Sequence, residues 1–207
     1  MSHASIRPYR DGDLDALYRI CLQTGNHGDD ATSLFDDPKI LGHVFVAPYA
    51  LFEPSLIFVA EDDVGVGGYI VAAVDSSTFE KRLEADWWPM LRDRFPAPPS
   101  ELPPDQWTAD QRAAHLMHVP LTIPDELAED YPSHLHINLA PRLQSQGLGR
   151  QLINTLISAL RDQGSVGLHF LVSPANQRAV GFYQHLGFIL ISAEGPLIFT
   201  MDLRPAA

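Results

Sequence analysis

Apolar positions recur along this chain with two periods, two for strands and 3.6 for helices, and switching between them divides it into elements. The clearest switch lies between His134 and Asp162. Leu135, Ile137 and Leu139 alternate with His134, His136 and Asn138, which predicts a strand that Pro141 stops from pairing further. After a glycine-bearing turn, Leu148, Leu152, Ile153, Leu156, Ile157 and Leu160 recur at helical spacing up to Gly164, predicting an amphipathic helix.

The same reading places short strands at Ile6–Tyr9, Ser55–Ala60, Gly65–Val74, Val166–Val172, Phe188–Ile191 and Leu197–Leu203. Glu61-Asp62-Asp63 turns the hairpin between the second and third of these, and Gly67-Gly68 marks a bulge. A helix from Leu14 is preceded by the capping carboxylates Asp11 and Asp13 and closed by Gly25. Another covers Ser33 to Tyr49 with a break near Pro38, and one begins at Pro174 and Asn176 and ends before Gly187. These elements imply an α/β class, a mixed central sheet of about seven strands with helices on both faces.

The segment from Ser76 to Pro132 breaks the alternation. It holds nine of the 17 prolines and all three tryptophans. Two helices are predicted in it, one around Phe79–Arg94 and one opened by Thr108 with Gln111 as capping-box partner, joined by an extended proline connector. It reads as an insertion in a single domain spanning 1–207: a lid or specificity element, or a packing or dimerisation feature.

At 207 residues and 45% hydrophobic the chain can bury one sizeable core. Fourteen basic against 26 acidic residues, a net charge of −12, argue against nucleic acid as a partner and weakly favour cationic ones. No run is long and apolar enough for a membrane span and the N-terminus lacks a signal-peptide core, so the expected location is cytoplasmic without membrane association. The single Cys21 excludes an intramolecular disulfide and lies on an apolar helical face.

The strand-to-helix turn carries the chemistry. Its Gln144-Ser145-Gln146-Gly147-Leu148-Gly149 segment is Q-x-x-G-x-G, followed by Arg150. Backbone N–H groups with no partner inside the helix, the helix dipole and a nearby arginine together suit a phosphate. The segment lacks the Lys-Ser/Thr of a P-loop and the third glycine of a dinucleotide fingerprint.

From Leu139-Ala140-Pro141 through Arg150 this stretch resembles motif A of the GCN5-related N-acetyltransferase (GNAT) superfamily, and Asn176-Gln177-Arg178-Ala179-Val180-Gly181-Phe182-Tyr183 to Gly187-Phe188 is similar to the family's N-x-x-A-x-x-F-Y-x-x-x-G-F segment. The resemblance implies acetyl-CoA as co-substrate. It implies that Leu139, Ala140, Gln144, Ser145, Gln146, Gly147, Leu148, Gly149 and Arg150 hold the pyrophosphate and pantetheine, with Asn176 and Tyr183 beside them. Tyr183 would be the catalytic residue at the thioester sulfur, acting by a hydrogen bond because a phenol near 10 is a weaker acid than a thiol near 8.5. The 133–139 and 166–172 strands would have to splay apart.

A closer resemblance joins Trp87-Trp88-Pro89-Met90-Leu91-Arg92-Asp93-Arg94-Phe95-Pro96 and the Gly164–Phe188 region to the acetyltransferase-like domain of animal O-GlcNAcases, over most of the chain. In that domain the pyrophosphate loop is degraded, whereas Gln144, Gly147 and Gly149 are present here. The expected function is acetyl-CoA-dependent N-acetylation of a primary amine on an unknown acceptor, a small molecule or a protein lysine. The alternative is a catalytically silent CoA-binding or interaction module. His27, Asp29 and Asp30 are candidate substrate contacts or a solvated loop, and Glu61 or Asp75 could act through water as bases. His134, His136 and His169 allow acid–base chemistry, a metal, or satisfied core histidines, with no metal expected; a homodimer is possible.

Overall fold

The computed structural model describes residues 4–122, 124–192 and 196–205. Seven strands, β1 (Ser5–Pro8), β2 (Phe58–Asp62), β3 (Gly65–Ala73), β4 (Ser133–Leu139), β5 (Gly167–Val172), β6 (Ile189–Ser192) and β7 (Leu197–Asp202), form one sheet in the order β1-β2-β3-β4-β5-β7-β6. Neighbours are antiparallel except β4 and β5, which run parallel. Around it lie α1 (Leu14–Gln23), α2 (Ile40–Phe45), α3 (Ala47–Phe52), α4 (Ser76–Arg82), α5 (Trp88–Arg94), α6 (Ala109–His118), α7 (Asp125–Asp130), α8 (Leu148–Asp162) and α9 (Gln177–His185). This is the expected α/β class, a mixed sheet with helices on both faces.

The central β3 is buried along almost its whole length because its two faces serve two cores. Tyr69, Val71 and Ala73 point into a core shared with Leu17 and Ile20 of α1 and Ile40 of α2, while Ile70 and Ala72 point into the opposite one. That second core receives the apolar stripe of α8, in which Leu152, Ile153, Leu156 and Leu160 are essentially inaccessible. A register shift between Ala60 and Glu61 leaves Gly67 as the extra residue of a bulge where one was expected.

Four local expectations are corrected. The Ser33–Tyr49 helix is two short helices separated at Val46, and Ser33 to Pro38 form turns instead. Pro38 and Pro48 each lack an N–H and restrict the residue before them, so the chain restarts twice. The first strand of the hairpin begins at Phe58, because Pro54 opens a 3₁₀ turn over Pro54–Leu56. Asp13 does not cap α1; its carboxylate accepts from Arg7 at 2.7 and 2.9 Å and from the Arg10 N–H at 2.8 Å. The insertion contains a further helix that was not expected, α7, whose acidic sequence buries no residue and so shows no apolar period.

The insertion is part of the first core. Phe79, Leu83, Trp88, Leu91, Ala113, Ala114 and Met117 pack with α1 and α2. A π-helical stretch over Leu83–Trp87 carries α4 into α5 just ahead of Pro89, which has no N–H to offer the preceding turn. The Thr108 capping box forms as expected, with Gln111 N–H donating to Thr108 Oγ1 at 3.2 Å and Thr108 N–H to Gln111 Oε1 at 2.9 Å. Trp87 Nε1–H donates to the His43 carbonyl at 2.9 Å, tying the insertion to α2.

Candidate functional site

The sheet opens at β4 and β5, the one parallel pair among the described residues. β4 pairs with β3 over six residues but with β5 over two, Ser133 opposite Leu168 and His134 opposite His169. Beyond them the strands diverge, as a site between them requires. The backbone of β4 from Leu135 onward is thus left without a strand partner on that side.

A cleft of two lobes fills the opening. The first, about 440 Å³, is lined by Ile137, Asn138, Leu139, the turn at Gln144, Ser145, Gly147, Gly149 and Arg150, and by Asn176, Arg178, Phe182, Tyr183 and His185. The second, about 300 Å³, continues past Thr24 and Tyr183 to Cys21, Leu41, Phe45, Leu135, His136 and Phe170. Thr24, Gly28, Ile137, Asn138, Asn176, Ala179 and Tyr183 line both. A hollow of about 630 Å³ in the insertion, around Pro98, Pro104, Trp107 and His118, shares no residue with either. It offers neither a glycine turn nor a basic side chain other than its histidines.

The turn is held by its own residues. Gln144 Nε2–H donates to the Leu139 carbonyl at 2.7 Å and Gln146 Nε2–H to the Arg142 carbonyl at 2.7 Å, so both glutamines brace the loop. Ser145 at φ 60° and Gly147 at φ 77° are left-handed, which reverses the chain into α8. Gly147 is the N-cap residue of α8 and no side chain caps it. The two glycines serve different needs. A Cβ on Gly147 would meet open space, so its constraint is conformational, whereas one on Gly149 would lie 3.0 Å from Phe182 Cζ. Gly149 lets α8 and α9 close together.

Among the described residues the first lobe presents Arg150, Arg178 and His185 and no carboxylate. In a chain of net charge −12 this is a local reversal, within reach of a bound anion despite screening. Of the residues expected at the cofactor, Leu139, Gln144, Ser145, Gly147, Gly149, Arg150, Asn176 and Tyr183 line the lobe. Ala140, Gln146 and Leu148 do not. Ala140 is buried with its N–H on the Gly67 carbonyl at 2.8 Å, and Leu148 joins the second core.

Tyr183 stands where the lobes meet. Its ring packs 4.4 Å from Phe170 and 5.2 Å from Phe182, centroid to centroid, and burial pushes its phenol well above the usual tyrosine range. Its hydroxyl has no protein hydrogen-bond partner among the described residues. Asn176 Oδ1 caps α9 by accepting from the Ala179 N–H at 3.1 Å. Its amide nitrogen is left to the cleft and to Gly28.

The histidines separate by their partners. Ser76 Oγ donates to the Pro132 carbonyl at 2.7 Å and therefore accepts from His134 Nδ1–H at 2.7 Å. His134 Nε2 then accepts from the Tyr49 hydroxyl at 2.6 Å. His134 is a satisfied neutral histidine, held well below its usual range by burial and by His136 and His169. His169 donates from Nδ1 to the Tyr131 carbonyl at 2.7 Å. His136 has neither kind of tie; it lies edge-on to Phe45 at 5.2 Å and to Tyr49 at 5.7 Å and lines the second lobe. Among the described residues no three His, Cys, Asp or Glu side chains converge as a metal-ligand set.

The other acid–base candidates have structural partners. Glu61 receives Arg7 Nε–H at 2.6 Å, and Asp75 caps α4 by accepting from the Thr78 N–H at 2.7 Å. Asp30 accepts from the Thr32 N–H at 2.8 Å, Asp29 sits in an exposed bridge with Asn26, and of that loop His27 and Gly28 reach the cleft. Pattern alone overlooked Asn138 and Thr24, which form its floor. Tyr69 O–H donates to Asn138 Oδ1 at 2.9 Å, Asn138 Nδ2–H to Thr24 Oγ1 at 2.5 Å, and Thr24 O–H to the Ile20 carbonyl at 2.7 Å. Thr24 and Asn138 stand 114 positions apart and carried no spacing signal.

The sequence profile described as the Acetyltransferase (GNAT) family matches residues 28–188. The crystal structure of SsHAT superposes with a TM-score of 0.88 at 34% identity, covering 98% of this chain and 99% of that one. Protein O-GlcNAcase of Rattus norvegicus is 25% identical over 194 residues, 92% of this chain and 21% of that protein. The chain thus spans about a fifth of the length of the curated relatives it matches. The structure of yncA, a putative acetyltransferase from Salmonella typhimurium with its cofactor acetyl-CoA, aligns at a TM-score of 0.58 with 16% identity over 100% of this chain and 97% of that one, a likeness of fold alone.

Proposed function

The chain belongs to the acetyltransferase (GNAT) family, and on that premise we propose that it transfers the acetyl group of acetyl-CoA to a primary amine, by direct attack with both substrates in the cleft. The observation that carries this reading is the divergence of β4 from β5 directly beside an uncapped, left-handed glycine turn. The residues present fit coenzyme A. Gly147 lines the first lobe and presents its backbone there without a side chain, and the lobe's charged groups are arginines.

Acetyl-CoA, when bound, supplies an acyl group activated as a thioester. The backbone N–H groups of the turn from Ser145 to Arg150 bind the diphosphate, and Arg150 and Arg178 add charge. The unpaired side of β4 around Ile137 to Leu139 offers strand-like hydrogen bonds that orient the pantetheine and polarise the acetyl carbonyl. Tyr183 keeps its proton, because burial raises its phenol, and donates a hydrogen bond to the sulfur without giving the proton up.

Calorimetric titration of the protein with acetyl-CoA, with free CoA and ADP as controls, tests this. We expect micromolar binding, on the order of −8 kcal/mol, of acetyl-CoA and CoA. No binding would overturn the cofactor site. Binding without thiol release across a panel of amines would favour the silent module.

A further inference from the structure

The second lobe has an unusual lining for a site that takes an amine. Its apolar side is formed by Cys21, Leu41, Phe45, Leu135, Phe170 and the Tyr183 ring, and its polar side by the uncharged Thr24, Asn138, Ser173 and Asn176. Among the described residues lining it there is no carboxylate, and its ionisable groups beyond the buried Cys21 and Tyr183 are two histidines, His27 at the rim and His136 at the floor. A primary ammonium entering such a lobe would lose its hydration without a counter-charge, which costs several kcal/mol. The arginines of the adjoining lobe would add repulsion.

His136 supplies the complementary feature. Its neighbours on the same strand and the next, His134 and His169, have their Nδ1 protons committed to Ser76 and Tyr131. Around His136, α2 contributes Phe45 and α3 contributes Tyr49, whose hydroxyl is spent on His134. No acid faces it from these elements among the contacts described. Burial and the nearby His169 push it down to about 4, so at neutral pH it is an uncharged ring with one nitrogen able to accept a hydrogen bond.

We infer that the second lobe binds the acceptor as a neutral, weakly basic amine of the aromatic-amine class, its ring against Phe45 and its N–H donated to His136. This rests on the reading of the cleft as an acyl-transfer site. An arylamine is uncharged at neutral pH, so it enters without the ionic cost, and its flat ring matches the aromatic side of the lobe at Phe45, Phe170 and Tyr183. Polyamines and lysine side chains are charged there and fit neither feature.

The test measures binding before turnover. The whole protein, alone and saturated with CoA, is titrated with 4-methoxyaniline, and with spermidine and a lysine peptide for comparison, while the His136 ring is followed by histidine NMR. We expect 4-methoxyaniline to bind and to shift the His136 ring signals, with that ring remaining neutral between about pH 5 and 8. His136→Leu should weaken it about tenfold, and His136→Gln, which keeps an acceptor atom, by less. Tighter binding of spermidine or the peptide in the lobe, no binding of 4-methoxyaniline, or unchanged affinity in folded His136→Leu and His136→Gln would each overturn the inference. The CoA titration separates the two readings: CoA binding with no arylamine preference sinks this one alone, and arylamine binding without CoA binding sinks the transfer reading instead.

Discussion

The two lobes of the cleft are built in opposite ways. The first takes its turn from one continuous stretch, Leu139 to Arg150, and its chemistry is that of backbone N–H groups and fixed positive charge. The second is assembled from α1, α2, β4, β5 and α9, and its chemistry is that of aromatic and aliphatic side chains, uncharged polar groups and His136, with no carboxylate among the described residues. A site for an anion common to many substrates can be local, because a helix start and two glycines suffice. A site that chooses an acceptor needs surfaces from several elements.

The largest expected effect would separate the lobes outright. Gly147→Asp adds a carboxylate at a residue lining the first lobe, in open space and on a residue type that tolerates a left-handed backbone. CoA affinity should fall by about 100-fold or more with circular dichroism unchanged, while binding in the second lobe persists. Wild-type CoA affinity would show that the turn does not hold the phosphates.

Tyr183 sits at the junction and should affect turnover alone. Its hydroxyl has no protein partner among the described residues, so Tyr183→Phe keeps the ring packing against Phe170. We expect kcat to fall about 10- to 100-fold, with CoA affinity and thermal stability near those of the parent protein. Equal turnover in the two proteins would leave Tyr183 only its packing role.

The smallest effect concerns stability and belongs to the second lobe and the strand beneath it. His134 and His136 are held neutral in the folded protein, below an ordinary value of about 6.5 in the unfolded chain. At these two sites the unfolded state therefore binds more protons as the pH drops below about 6.5, and their contribution to stability declines from there toward about 4. Asp13, whose carboxylate Arg7 holds below the usual range, contributes a loss only at lower pH still. Urea midpoints measured from about pH 7 to 4.5 should fall, less steeply in His136→Gln. A flat profile would mean that His134 and His136 protonate freely in the fold.

Sequence and structure agree most closely where interactions are local. The β4–turn–α8 unit, the capping box at Thr108 and the bulge at Gly67 follow from period, caps and glycine placement within a few residues. The long Ser33–Tyr49 helix does not survive, because two prolines outweigh an apolar period. The Asn138–Thr24 pair crosses 114 positions and could not be read from spacing.

His134 and His136 draw the boundary most sharply. They are two residues apart on one strand, share a face and have the same side chain, so the sequence determined that both would lie under the first layer of helices. Only the tertiary structure decided their chemistry. Ser76 from the insertion and Tyr49 from α3 close around His134 and satisfy it, while His136, packed against Phe45 and Tyr49, lines the second lobe with no such partner. The reason is physical: backbone period is set by neighbours along the chain, whereas the proton and hydrogen bonds of a buried ring are set by whatever the fold packs against it.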